Sequence, residues 1–295
     1  LGKRGLSLKD RSRVKKQFIK NLDSFTLAAH RGASQEHPAN TMEAFGRALE
    51  IDEKALLEMD VWETADGHAV VMHDGTVEQA TNGTGSVSSF SLEEIQRLDA
   101  GYAVSFDGGI SHPFRGKGYR IPSLEEILSA FPHVLKSIDV KYHDRNFTRN
   151  VLETIKNYGE SEYVIMGSFN GSILRFIRRM YPLVATSASK KEIVVFLIAV
   201  KLRISRLCTL RCDVFSIPEF SSGKYPEYEG KGCRQGIRVI TPAFIRAAHR
   251  RGIPIFAWTI DREENMRRLL GWGIDGIITN RPDALKKIVD ETRES

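Results

Sequence analysis

Cysteine is scarce in this chain of 295 residues, and the three present, Cys208, Cys212 and Cys233, are an odd number in a protein long enough to bury a core without covalent staples. A disulfide framework is therefore not what organises it. Cys208 and Cys212 have neither a histidine nor a second cysteine pair close by, which argues against zinc and leaves buried or idle thiols. Internal repeats and low-complexity segments are also missing, so nothing suggests a solenoid or an array. At 41% hydrophobic and 27% charged, the composition excludes wholesale disorder and a polytopic membrane protein. No RNA- or DNA-binding motif accompanies the formal charge of +6, and nucleic acid is not expected as a substrate or partner.

The charge that is present sits unevenly. Lys3, Arg4, Lys9, Arg11, Arg13, Lys15, Lys16 and Lys20 face only Asp10 at the start of the chain. Such a run can lie against anionic lipid headgroups or nucleic acid, or be a solvated leader, expected here over residues 1–24. It has no long apolar stretch and so reads as neither a signal peptide nor a membrane span. The sequence opens on Leu1, which leaves an upstream anchor or signal open; a cytoplasmic or membrane-associated location is the expectation.

From residue 25 onward, short apolar runs alternate with longer amphipathic ones, the pattern of strands alternating with helices. Strands are expected near residues 25–30, 55–61, 134–140, 163–166, 183–186, 213–217, 254–259 and 274–278. Helix starts are expected where a capping oxygen stands three residues before a glutamate: Asn40-Thr41-Met42-Glu43, Ser91-Leu92-Glu93-Glu94, Ser123-Leu124-Glu125-Glu126 and Asp261-Arg262-Glu263-Glu264. Eight strand–helix units fit a single α/β domain, a (β/α)8 TIM barrel over residues 25–295. An open doubly wound sheet would more often show fewer strands and a glycine-rich first turn. A stretch rich in Gly, Ser and Thr at about residues 74–121, after the second strand, is expected to form a small insertion over the barrel mouth.

In such a barrel the loops after the strands meet at the face that holds the active site. His30 and Arg31 fall at the end of the first strand. Glu58 and Asp60 are two apart on the second, so their side chains point the same way. They are either an ordinary solvent-facing pair or two carboxylates aimed at one cation. Asp139 and Lys141 repeat the spacing on the third strand. Asp139 would supply a third oxygen ligand, while Lys141 would neutralise a phosphate oxygen or pair with Asp139 or Glu58. All-oxygen ligation favours one hard divalent cation, Mg2+ or Ca2+, over zinc. His73 follows a β-rich stretch and precedes Asp74, which can orient its ring. Two histidines at one carboxylate cluster suit acid–base catalysis, each contributing roughly 10²–10⁴ in rate. The whole inventory suits metal-assisted attack on a phosphodiester.

Those residues resemble the signature of the glycerophosphodiester phosphodiesterase family, over roughly residues 26–289. The matching segments are His30-Arg31-Gly32, Pro38-Ala39-Asn40-Thr41, Glu58-Met59-Asp60 and Asp66-Gly67-His68-Ala69-Val70-Val71-Met72-His73-Asp74. Later matches are Ile121-Pro122-Ser123-Leu124-Glu125, Trp258-Thr259 and Gly273-Ile274-Asp275-Gly276-Ile277-Ile278-Thr279-Asn280-Arg281-Pro282. The resemblance implies His30 and His73 as the acid–base pair, Glu58, Asp60 and Asp139 as metal ligands, and Arg31 and Lys141 as phosphate contacts. Trp258 would line the substrate pocket or pack the barrel. Departures from the family pattern are Ala39 and Asp139, each where Glu is usual, and Asp52-Glu53-Lys54 in place of a Gly-containing turn.

The run at residues 193–200 is too short to span a bilayer and too apolar for an ordinary surface helix, and Lys190, Lys191, Lys201, Arg203 and Arg206 flank it. It reads either as a buried barrel helix or as an interfacial segment with snorkelling basic ends, giving peripheral membrane contact together with the basic N-terminus. This apolar segment, Ile138-Asp139-Val140-Lys141 and Arg120-Ile121-Pro122 are similar to the lysophospholipase D branch of the family. The resemblance implies hydrolysis of lysophospholipids to lysophosphatidic acid and a headgroup alcohol. Glycerophosphodiesters, giving sn-glycerol 3-phosphate, are the alternative substrate, and a catalytically silent barrel that binds lipid headgroups is the alternative class.

Overall fold

Strands form where apolar residues can serve two faces in alternation, and eight such runs lie parallel in the computed structural model, which describes residues 17–222 and 236–294. They are β1 (Thr26–His30), β2 (Leu56–Glu63), β4 (Lys136–Val140), β5 (Val164–Gly167), β6 (Ala185–Thr186), β7 (Phe215–Pro218), β8 (Ile255–Trp258) and β9 (Gly276–Thr279). A short β3 (Ala69–Val71) runs antiparallel to β2. The order is β6-β5-β4-β2-β1-β9-β8-β7. Parallel bridging between Ser187 and Val214 joins the two ends, supported by Asp213 N donating to Thr186 O at 2.9 Å and Ala188 N to Val214 O at 3.0 Å. The (β/α)8 expectation holds, and each expected strand coincides with one of the eight.

The helices between them are α1 (Met42–Ile51), α2 (Leu92–Gln96), α3 (Leu124–Ala130), α4 (Arg145–Asn157), α5 (Gly171–Met180), α6 (Lys190–Lys201), α7 (Pro242–His249), α8 (Glu263–Gly271) and α9 (Pro282–Glu294), counting only the described residues. Ser91 with Glu94 and Ser123 with Glu126 form the expected reciprocal capping boxes. The other two expected starts are corrected. Thr41, not Asn40, caps α1, and Arg262 is the N-cap of α8 without a side-chain bond, because Asp261 is drawn to the last strand instead. A further box, Ser189 with Glu192, starts α6.

Two shells of side chains follow from the period of two. Outward residues such as Leu57, Met59, Val61, Ile138 and Val140 pack against the helices. Inward, Ala28, Leu56, Ile165, Ala185, Val214, Phe256 and Ile278 make one dry layer, closed from below by Phe18. Phe18 is 2% exposed, and Ile19 and Leu22 pack beside it. The barrel therefore begins before residue 25, which shortens the expected leader at residues 1–24; residues 1–16 lie outside the described residues. So does Cys233. Cys208 and Cys212 are free, and burial pushes the Cys212 thiol up to about 12, leaving it inert at neutral pH.

The excursion between β3 and α3 has a small core of its own: Val77, Val87, Ile95, Ala100 and Ile121 gather on Val70 and Met72. It extends from β3, so it sits beside the carboxyl end of β2. Helix α6 is buried along one face only, so it fits the buried barrel-helix reading of its sequence in part. Phe196 and Ala199 are buried, whereas Val194, Val195 and Ile198 face outward. Among the described residues no helix is long and apolar enough to cross a membrane.

Candidate active site

Two residues above the dry layer, the same inward rows turn polar: Ala28 gives way to His30, Leu56 to Glu58 and Asp60, Ile278 to Asn280. The strand register then sets neighbours side by side, His30 against Glu58 and Asp60 against Asp139. The turn after β1 completes the arrangement. Arg31 and Asn40 both have left-handed backbones, at φ 58° and 61°, and Asn40 N donates to Arg31 O at 2.9 Å. Asn tolerates this conformation, but for Arg it costs about 1–2 kcal/mol. The strain aims both side chains at Asp60: Arg31 Nε lies 3.2 Å from Oδ2, and Asn40 Nδ2 donates to the same oxygen at 3.4 Å. Gly32 follows at φ 84°, with its Cα against the α1 backbone, where a Cβ would meet Ala44 C at 2.5 Å. His-Arg-Gly and Pro-x-Asn-Thr are thus two halves of one bent loop.

Lys141 Nζ lies between two of the carboxylates, 3.0 Å from Asp60 Oδ1 and 2.7 Å from Asp139 Oδ2. Burial opposes its charge, but Asp139 and Asp60 outweigh that and hold its pKa above the ordinary lysine value. The expected salt bridge to Asp139 is formed, and Asp60 rather than Glu58 is the second partner. Glu58 is less well provided for. Burial, then Asp60 and Asp139, push its carboxyl well above the usual range, and its buried Oε2 has no hydrogen-bond partner. His30 Nε2 lies 3.9 Å from that oxygen.

Among the described residues no three His, Cys, Asp or Glu side chains stand at preformed metal-ligand spacing. The donor set still fits a hard cation. Glu58 Oε2 and Asn40 Oδ1 are buried oxygens without partners, and Glu58, Asp60 and Asp139 share one wall of the barrel. A cation there would relieve the repulsion that now lifts Glu58.

The two histidines are held differently. Asn280 Nδ2 donates to Asp261 Oδ2 at 2.7 Å and Asn280 N to Asp261 Oδ1 at 2.8 Å, which fixes the amide with its oxygen toward His30. His30 Nδ1 therefore donates to Asn280 Oδ1 at 2.6 Å, and Nε2 keeps its lone pair. Burial, and secondarily Arg31, lower His30 from 6.5 to about 4, so it is neutral at pH 7. His73 is tied by Nδ1 to Asp74 Oδ1 at 2.9 Å, and its backbone oxygen accepts from Trp62 Nε1 at 2.9 Å. Arg31, Asn40, His73 and Asp74 share a cavity of about 240 Å3 with Met72 and Ile121 from the insertion. A larger cavity of about 490 Å3, beside Thr26, Leu135 and Tyr163, opens at the other end of the strands and touches none of these groups.

Trp258 is half-buried and meets the exposed Phe169 edge to face, with centroids 6.3 Å apart; Lys141 Nζ stands 5.5 Å over the Phe169 ring. Trp258 therefore borders the site across Phe169. Asn280, Asp261 and Phe169 were not expected from the sequence. The signal for Asn280 was available, since it stands two residues after the inward Ile278 on the last strand.

With this geometry in hand, comparison with known proteins gives a consistent result. The model of the glycerophosphoryl diester phosphodiesterase family matches residues 30–284. A glycerophosphodiester phosphodiesterase of Caldanaerobacter subterraneus subsp. tengcongensis is 34% identical over 276 residues, covering 89% of this chain and 97% of that protein. Lysophospholipase D GDPD1 of Mus musculus is 27% identical over 270 residues, covering 89% of this chain and 85% of that protein. Among solved structures, the glycerophosphoryl diester phosphodiesterase domain of the uncharacterized protein Rv2277c from Mycobacterium tuberculosis superposes with a TM-score of 0.75 at 19% identity, covering 90% of this chain and 99% of that one.

Proposed function

This chain belongs to the glycerophosphoryl diester phosphodiesterase family and is a phosphoric diester hydrolase; from that premise we propose that it cleaves glycerophosphodiesters at the site between His30 and His73, giving sn-glycerol 3-phosphate and an alcohol. The observation that carries the reading is the pairing of a neutral, oriented His30 with the carboxylates of Glu58, Asp60 and Asp139. His30 Nε2 takes the proton of the attacking hydroxyl, since Nδ1 is committed to Asn280. His73, braced by Asp74, delivers the proton to the departing alkoxide. Arg31 and Lys141 carry the positive charge that meets the phosphate oxygens. Glu58, Asp60 and Asp139 would hold one Mg2+ or Ca2+ ion, which when bound would add positive charge opposite the non-bridging oxygens and favour the ionised nucleophile. The nucleophile is water or the glycerol hydroxyl of the substrate.

Lysophospholipids, expected first from the sequence, become the second reading. The relative named for glycerophosphodiesters is the more similar of the two compared, at 34% against 27%. What favours a longer substrate is the exposed aromatic edge of Phe169 beside Trp258, an apolar rim next to the charged floor. Choline release from glycerophosphocholine and from lysophosphatidylcholine, with and without EDTA, separates these readings. Glycerophosphocholine is expected to turn over faster, and EDTA to abolish the activity. Turnover of the lysolipid alone would reverse the assignment, and full activity in EDTA would remove the cation.

A further inference from the structure

Catalysis leaves one surface unexplained, the outer face of α6 and the turn that follows it. Val194, Ile198 and Leu202 stand at i, i+4 and i+8, with Val195 beside them, and are 47%, 52%, 62% and 45% exposed. Ile204 and Leu207 continue the patch. Six large apolar side chains in a stretch this short exceed the scattered exposure that a surface normally carries. The opposite face of the helix does the structural work: Phe196 stacks on Phe215 at 5.0 Å and meets Phe244 edge on. The outer residues are therefore free to serve something else.

The charges around the patch say what that is. Lys190, Lys191, Lys201, Arg203 and Arg206 are all exposed, at both ends of the apolar stripe, and among the described residues no carboxylate pairs with them. The one acid between residues 190 and 211, Glu192, is turned away to Arg178 at 3.1 Å and to the Arg211 backbone N at 2.9 Å. Lys190 and Lys191 also occupy the first turn of the helix, where the helix dipole disfavours cations, so they are not there for the helix. A second copy of this chain would bring five unpaired cations against five more. An anionic lipid surface takes the apolar stripe into its acyl boundary and gives both sets of cations a headgroup phosphate.

We propose that α6 and residues 202–207 dock this enzyme on an anionic bilayer, with the helix axis in the plane of the interface. In a (β/α)8 barrel the helices run roughly antiparallel to the strands, so a flat α6 lays the barrel on its side and the active-site mouth opens along the membrane. Docking through this face is independent of which phosphodiester is cleaved.

Sedimentation of the full chain with vesicles tests it, using phosphatidylcholine mixed with phosphatidylserine against phosphatidylcholine alone. Binding is expected to the mixed vesicles only, and to weaken as salt is added. Two variants locate it: Ile198→Asn with Leu202→Asn, and Lys201→Glu with Arg206→Glu. Each pair is expected to lower partitioning about tenfold or more, with turnover of glycerophosphocholine unchanged as the check on folding. Failure of the wild-type chain to bind, or undiminished binding by both variants, overturns the proposal; the second result would assign any binding to the basic N-terminus. Sedimentation velocity closes the remaining outcome, since a dimer that the variants dissociate would show that another copy covers this face.

Discussion

The two ends of the barrel are built from the same strands and are opposite in character. At the amino end the inward residues are Ala28, Leu56, Ile165, Ala185, Val214, Phe256 and Ile278, sealed by Phe18. Even the fully buried Lys136 is satisfied there, donating to Phe131 O, Val134 O and Glu160 Oε2 at 2.7, 2.8 and 2.9 Å. Two residues further along, His30 is desolvated, Glu58 is crowded by two other carboxylates, Oε2 of Glu58 is unpaired, and Arg31 and Asn40 hold left-handed backbones. One layer is resolved and the next is in tension. A fold keeps such tension where chemistry uses it, because charges held apart from their best partners are available to a substrate.

Exchanging the tension for stability should give the largest effect. Glu58→Gln removes a crowded carboxylate at nearly constant shape, so turnover of glycerophosphocholine is expected to fall by about 10³ or more. In EDTA the same variant is expected to unfold about 2–4 °C higher than wild type. A thermal scan beside a kinetic assay reads both, and a variant both inactive and less stable would break the contrast. Phe18→Ala probes the other end. It should cost about 3 kcal/mol in urea unfolding while leaving kcat of the folded protein unchanged.

A smaller effect is expected where the two histidines differ. Asp261→Asn can no longer enforce the Asn280 amide orientation, so kcat should drop about tenfold with KM little changed. Nitrogen NMR of the His30 ring should then show both neutral tautomers in place of the Nδ1–H form alone; a single unchanged tautomer would deny Asp261 its positioning role. The smallest is a difference between pH profiles. His30 is lowered from 6.5 to about 4 in the fold, so its contribution to stability is complete above pH 6.5 and is lost as pH falls toward about 4. Urea unfolding in EDTA should show wild type weakening over that window and His30→Gln weakening less.

The sequence carried more of the dry end than of the tense one. All eight barrel strands were legible because inward and outward rows both leave apolar residues at fixed spacing. The placement of His30, Glu58, Asp60, His73 and Asp139 was legible because they are local to strand ends. Asp261 was misread for a physical reason: Asp-Arg-Glu-Glu before a helix satisfies the local capping rule, and only the fold brings Thr279 Oγ1 and Asn280 within reach of its carboxylate. Phe18 was likewise hidden inside a basic run, its role visible only when the barrel floor has a shape to fill. Lys141 had two readings of equal standing; the distances to Asp60 and Asp139 show its ion pairs, with Asp60 a partner that the spacing along one strand could not reveal.

The central claim is that the tense layer hydrolyses phosphodiesters, with His30 as the base. Phosphorus NMR of glycerophosphocholine incubated with Mg2+ or Ca2+ and either wild type or His30→Ala tests it most directly. The account predicts conversion to sn-glycerol 3-phosphate by wild type and a rate lower by about 10²–10⁴ in the variant. Equal rates in the two proteins would contradict it.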